Sequence, residues 1–195
     1  METLIIETQE QAEALVVNNL LKFEGHLIFK CRINAGWSIK AGGYIKAGWS
    51  IKAGEYINAG LSIEAGGYIK AGEYINAGLS IEAGEFIEAG EYINAGEFIE
   101  AGWSIKAGLY INTGEYINAG ESINAGWYIN AGGYINAGGY INAGEFIKAG
   151  GYIKAGADWG IYCGISLRIS NKSQATITAK SEPANILLGL FVKQE

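Results

Sequence analysis

The dipeptide Ala-Gly recurs every six residues from Ala35 to Gly156, broken only where Thr113 stands in place of alanine, and isoleucine keeps the same step from Ile33 to Ile153. The unit reads Ala-Gly-x, then Tyr, Ser or Phe, then Ile, then Lys, Asn or Glu, about twenty times over. A step of six does not fit the 3.6-residue turn of an α-helix, but it does fit short strands separated by corners. In a segment such as Tyr-Ile-Lys-Ala, Ile and Ala point to one side while Tyr and Lys point to the other. The Gly-x pair then turns the chain, and glycine suits a corner whose backbone adopts positive φ. Alanine is small enough to let walls converge on a narrow axis, and isoleucine fills what remains.

Three such sides make a coil of about eighteen residues. Leu61–Gly78 and Leu79–Gly96 support that length, since they differ only at Gly67/Glu85, Tyr68/Phe86 and Lys70/Glu88. The expected fold is therefore all-β: a three-sided parallel β-helix, a solenoid of roughly seven repeat coils. Its ends would expose open strand edges, which the non-repetitive termini are expected to cover. The chain accordingly divides into a short α/β cap (residues 1–30), the repeat (31–157) and a β-strand cap (158–195).

In the first zone Thr3–Ile6 reads as a strand, and Thr8-Gln-Glu-Gln11 has capping-box spacing. Ala12, Leu15, Val16 and Leu20 then lie on one helical face, with Gly25 as the stop, and His26–Ile33 reads as a strand feeding the repeat. In the last zone strands are expected at Ile161–Ile169, Ala175–Ala179 and Ile186–Val192.

The string Ala41-Gly-Gly-Tyr-Ile-Lys-Ala-Gly-Trp-Ser-Ile-Lys52 resembles hexapeptide-repeat β-helix proteins of bacterial and phage genomes, over about two thirds of the chain. Left-handed acyltransferases of related architecture place glycine directly after the aliphatic residue, whereas here alanine follows Ile by two places and glycine by three. Handedness is thereby left open, and the triangular helix of bactofilins is equally similar. The resemblance implies a β-helix, and in its phage and bactofilin branches it implies an anti-defence (anti-CRISPR-like) protein or a scaffold that assembles end to end.

Chemistry is sparse. The acyltransferases use a histidine between coils, but the one histidine, His26, precedes the repeat, and the one aspartate, Asp158, follows it. No Ser-His-Asp set can be assembled from these. The repeat serines (Ser38, Ser50, Ser62, Ser80, Ser104, Ser122) have no neighbouring base. Calcium repeats need aspartate-rich turns, and Cys31, Cys163 and His26 do not complete a zinc site. No phosphate-binding glycine loop is present, and a lone repeat threonine argues against an ice-binding array. The chain is expected to be non-enzymatic, with no catalytic residue, cofactor or metal. Met1–Glu7 has neither a basic leader nor a long apolar run, and two cysteines make no disulfide framework, so a reduced, cytoplasmic protein without a membrane span is expected.

What varies on the outside is what can carry function. The net charge of −6 disfavours direct nucleic-acid binding. Between Glu55 and Glu121 eleven glutamates face Lys70 and Lys106, a difference of nine negative charges, while Lys40, Lys46, Lys52, Lys148 and Lys154 flank this stretch. At an eighteen-residue coil Tyr56, Tyr74, Tyr92, Tyr110 and Tyr128 form one column, with Asn58, Asn76, Asn94, Asn112 and Asn130 beside it. Both suit sheet stabilisation by stacking and by an amide ladder. Glu55, Glu73 and Glu91 stack like charges, and Glu82, Glu85, Glu88 and Glu97 join the acidic belt. Such a belt either keeps a strand-rich rod from aggregating or imitates a phosphate backbone. In the second case Glu55, Glu73, Glu82, Glu85, Glu88, Glu91, Tyr56, Tyr74 and Tyr92 would contact a protein partner with a basic nucleic-acid-binding surface. Trp37, Trp49, Trp103 and Trp127 would add apolar anchors. The expected activity is inhibition, by a phage or mobile element, of a host CRISPR or restriction complex. The alternative is a self-assembling scaffold of bactofilin type, and a homodimer fits the first.

Overall fold

The computed structural model describes residues 1–164 and 175–194. It is a parallel β-solenoid in which each six-residue unit contributes one short strand and each turn of about eighteen residues contributes three. Sheet 1 contains β1 (Thr3–Ile6), β4 (His26–Phe29) and every third repeat strand from Ile45–Ala47 to Ile153–Lys154. Sheet 2 contains β2 (Val16–Val17), β3 (Leu20–Phe23), β6 (Ser38–Ala41) and the strands stacked above them as far as Leu190–Lys193. Sheet 3 runs from β5 (Ile33–Asn34) to Ile186–Leu188.

Partners lie eighteen residues apart in strict register: Ile63 opposes Ile81, Asn76 opposes Asn94, and Ala89 opposes Ala107. The stack is about nine coils tall, not seven, because the terminal segments supply rungs of their own. β1 pairs with β4, and β3 with β6, both parallel and both continuing the repeat ladder. At about 4.8 Å per strand the rod is on the order of 40 Å long.

The core is two interleaved columns on each side. Ile39, Ile57, Ile75 and Ile93 have no exposed surface, and the alanine two places on is nearly as buried. Burying each isoleucine contributes about 1.5–3 kcal/mol. Thr113, at an alanine position, is also buried, and its hydroxyl satisfies itself on the Glu97 carbonyl.

The corner glycines follow a different rule from the one expected. The described glycines with positive φ are Gly164 and Gly189, neither in the repeat. What excludes a side chain at Gly72, Gly90 and Gly108 is the coil beneath: a β-carbon there would lie closer than 3.0 Å to the carbonyl oxygen of Gly54, Gly72 and Gly90 respectively. Glycine is required for close approach of main chains, not for a left-handed turn.

At the N-terminus the capping box forms as expected: Gln11 N–H donates to Thr8 Oγ1 at 3.3 Å, and Gln11 Oε1 accepts from Thr8 N–H at 3.4 Å. The helix is shorter than expected, however. α1 covers Gln9–Ala14, and Val16 and Leu20 fall in strands. Asn18 and Asn19 both adopt positive φ, 50° and 61°, and fold Val16–Val17 back onto Leu20–Leu21 as an antiparallel hairpin. Two β-branched valines followed by Asn-Asn favour that hairpin turn over another helical turn. The expected single strand His26–Ile33 is divided into β4 and β5 by a corner. In the tail, Ile161–Cys163, Thr176–Ala179, Ile186–Leu188 and Leu190–Lys193 are strands, while residues 165–169 of the expected strand lie outside the described residues. Among the described residues no helix is long and apolar enough to cross a membrane.

Candidate macromolecule-binding surface

Each strand shows solvent the residues on either side of its isoleucine, so the outer faces carry columns of like side chains at the coil spacing. On sheet 2 Tyr56, Tyr74, Tyr92, Tyr110, Tyr128 and Phe146 stack with ring centroids 4.8–5.0 Å apart and planes within 3° of parallel. Beside them Asn94 donates to Asn76 (3.2 Å), Asn112 to Asn94 (3.0 Å) and Asn130 to Asn112 (2.7 Å), each donor amide pointing its nitrogen down to the earlier coil and those between offering their oxygen upward. The rings are half-buried. Burial, and then the neighbouring phenols, push Tyr74 and Tyr92 above the ordinary tyrosine range.

The nine residues nominated for partner contact do not share one face. Glu55, Glu73 and Glu91 stack at the corner between sheets 3 and 2, where Glu73 N–H donates to the Glu55 carbonyl (2.8 Å) and Glu91 N–H to that of Glu73 (2.7 Å). Tyr56, Tyr74 and Tyr92 follow them onto sheet 2. Glu82 lies on sheet 1, Glu88 on sheet 3, and Glu85 at the corner between those two. The acidic zone is thus a girdle around the middle coils.

Two nominated carboxylates already have partners within the chain. Glu55 accepts from Asn19 Nδ2 (2.8 Å) and from Ser38 Oγ (2.6 Å), which fastens the N-terminal hairpin to the rod. Glu88 pairs with Lys70 at 2.9 Å. Glu73 and Glu91 are exposed, while Glu82 and Glu85 are half-buried; none of the four has an ion-pair partner among the described residues.

Sheet 1 holds a feature that the nomination missed. Glu64, Glu82 and Glu100 are consecutive rungs of one outward column and line an open groove of about 640 Å³ with Asn118 and Asn136. Lys46 closes the lower end through a 2.7 Å ion pair with Glu64, whereas Glu82 and Glu100 stand above it with no ion pair among the described residues. Ser80 Oγ lies 3.2 Å from Glu82 Oε1 and 3.0 Å from Ser62 Oγ. Above Glu100, Tyr116 is pushed up to about 12 by burial first and then by the Glu100 charge and hydrogen bond. Glu97 and Glu115 run alongside at the corner between sheets 2 and 1. The signal was available in the eighteen-residue spacing of 64, 82 and 100.

The tryptophans mark corners. Trp49 and Trp103 occupy the corner between sheets 1 and 3, with Gly67 and Glu85 between them, and both are exposed. Trp127 is exposed at the corner between sheets 3 and 2, whereas Trp37 packs against the core.

His26 stacks on Tyr44 with centroids 4.0 Å apart, and its Nδ1 accepts the Tyr44 N–H at 3.1 Å. Cys163 takes an alanine-type core position, with Sγ 3.0 Å from the Glu145 carbonyl oxygen, and burial pushes its thiol up to about 12. Neither arrangement offers a nucleophile–base pair. Among the described residues no group of His, Cys, Asp and Glu is gathered to hold a metal. No family model, curated protein or solved structure matches this chain.

Proposed function

We propose that this protein acts by binding, without catalysis, and that its middle coils present fixed negative charge to a basic, nucleic-acid-binding surface of another protein. The observation that carries this is the pairing of Glu82 with Glu100 in register, neither of them ion-paired among the described residues. Like charges directly opposite in a sheet destabilise it, by roughly 0.2–1 kcal/mol per pair. A rod that needed charge only for solubility would be served by both signs interspersed, as Lys46–Glu64 and Lys70–Glu88 are. Columns of unneutralised glutamate cost stability, and a cationic partner repays that cost on binding.

Rigidity favours the same function. Carboxylates fixed on a hydrogen-bonded ladder lose little freedom when a partner docks. Their regular spacing along the rod suits a channel built for phosphates, and exposed Trp49 and Trp103 flank Glu85 as apolar anchors. In its most specific form the proposal is an inhibitor, carried by a phage or mobile element, that acts in the cytoplasm on a CRISPR or restriction complex.

The test is DNA cleavage by a panel of restriction endonucleases and CRISPR effectors, with wild-type protein and with Glu82→Lys/Glu100→Lys. Wild type should inhibit at least one enzyme in competition with its nucleic acid. The double variant should melt no lower than wild type and should lose that inhibition. Failure across the panel, or inhibition that survives charge reversal, rejects the proposal.

A further inference from the structure

The aromatic columns are not equally continuous. On sheet 2 the rings stack without a break from Tyr56 to Phe146. On sheet 1 His26 stacks on Tyr44, and a second stack begins only at Phe98, running through Tyr116 and Tyr134 to Tyr152. The two rungs between those stacks carry Ser62 and Ser80. Tyr44 and Phe98 are therefore three rungs apart, about 14 Å at the coil spacing. Among the described residues no ring covers the upper face of Tyr44.

A recess of about 380 Å³ occupies the gap, within the size range of small-molecule sites. Tyr44 and Ser62 line it together with the apolar Leu61 and Leu79. Of its charged lining, Lys46 and Glu64 neutralise each other across 2.7 Å, and Glu82 has no ion pair among the described residues. Two carboxylates against one ammonium leave one negative charge at the recess. The chain itself shows how a ladder end of this kind is covered. On sheet 3 the rung after Tyr140 holds Gly160, and Trp159 brings its ring against Tyr140, with centroids 6.1 Å apart and planes tilted by 46°. A ring that is not a rung of the column thus covers its last member.

We propose that the recess on sheet 1 binds a small aromatic cation, a single ring bearing an ammonium group. The ring takes the place of the missing rung, flat on Tyr44 and over Ser62, between the leucines. The ammonium meets Glu82. An anionic ring is opposed by that carboxylate, and a saturated amine forgoes the stacking, a loss of roughly 2–10-fold in affinity. The inference stands apart from the proposed function, because the occupant is a small molecule and the decisive substitution is at Ser62, outside the Glu82 and Glu100 pair.

Tyramine is the probe, titrated into the whole protein and followed by NMR of its ring protons. Stacking should move those protons upfield, and the shift should saturate at millimolar concentration. Propylamine, which has no ring, and hydroxyphenylacetate, which has a carboxylate for the ammonium, should both bind more weakly. Ser62→Tyr places a ring on the empty rung, as most rungs of these columns already have. It should abolish binding with an unchanged β-sheet spectrum. Should that variant misfold, Tyr44→Leu keeps the apolar bulk, removes the stacking face and should weaken tyramine by roughly 2–10-fold. Glu82→Gln should weaken tyramine by roughly 2–5-fold and leave uncharged p-cresol unaffected. No saturable binding of tyramine by wild type, equal binding by folded Ser62→Tyr, or propylamine held as tightly as tyramine would each overturn the proposal.

Discussion

Gly90 lies so close above the main chain of the coil beneath it that a methyl group on it would overlap the carbonyl oxygen of Gly72. The same relationship recurs up all three corners, and it accounts for the most regular feature of the repeat. Gly36 and Gly48 begin their columns and have nothing within 4 Å of a β-carbon position. Gly90→Ala should therefore destabilise the protein by about 1–3 kcal/mol, the usual cost of overpacking. Gly48→Ala should be neutral or slightly stabilising, through the reduced freedom of the unfolded chain. Chemical denaturation of the two variants decides this, and equal losses would return the glycines to a dihedral role.

The glutamate column of sheet 1 should be a measurable strain. Replacing Glu82 and Glu100 with glutamine keeps the side-chain shape and the acceptor that faces Ser80, and removes the opposed charges. Stability should rise by about 0.2–1 kcal/mol. The wild-type gain in stability on adding salt should shrink in the double variant, because screening then has less repulsion to relieve. A destabilised variant would mean that the carboxylates are held by partners within the fold.

The amide ladder should behave as a chain. Asn94 donates to Asn76 and accepts from Asn112. Asn94→Ala removes both bonds and strands one half-buried amide on each side, so it should cost about 1–3 kcal/mol. Asn136→Ala, which ends a shorter run on Asn118, should cost about half as much. Thermal melts of the pair check the ratio.

Alkali should unfold the rod through its phenols. Tyr116 moves from 10.0 to about 12, with burial the largest cause, and Tyr74, Tyr92, Tyr128 and Tyr134 shift the same way. Between those two values the unfolded chain has released the Tyr116 proton and the folded chain keeps it. Stability is therefore complete below 10.0 and declines as pH rises toward 12. Denaturation midpoints measured across that range should fall, and Tyr116→Phe should fall less steeply.

The solenoid, its inward Ile and Ala and its stacked Tyr and Asn were legible in the sequence, because a strict period repeats each decision some twenty times. The N-terminal hairpin was less so: Ala12, Leu15 and Val16 satisfy a helical face, and the Asn18-Asn19 turn that overrides it is a two-residue signal. The role of glycine was misassigned because one strand in isolation shows only its own dihedrals, whereas the contact is with the rung eighteen residues earlier. The candidate surface suffered from the same blindness in another form. Glu88 and Glu55 looked available until register brought Lys70 under one and the hairpin's Asn19 against the other.

The repeat is written in sixes but built in eighteens, and that mismatch bears on how such a chain can change. Loss of three consecutive units would remove one storey and leave every remaining column intact. Loss of a single unit would keep Ile over Ile and Ala over Ala, yet rotate all later side chains by one face. Phenol would then sit over serine, and glutamate over asparagine. Slippage in a tandem gene could thus redraw the exterior at a stroke while the interior went on folding as before.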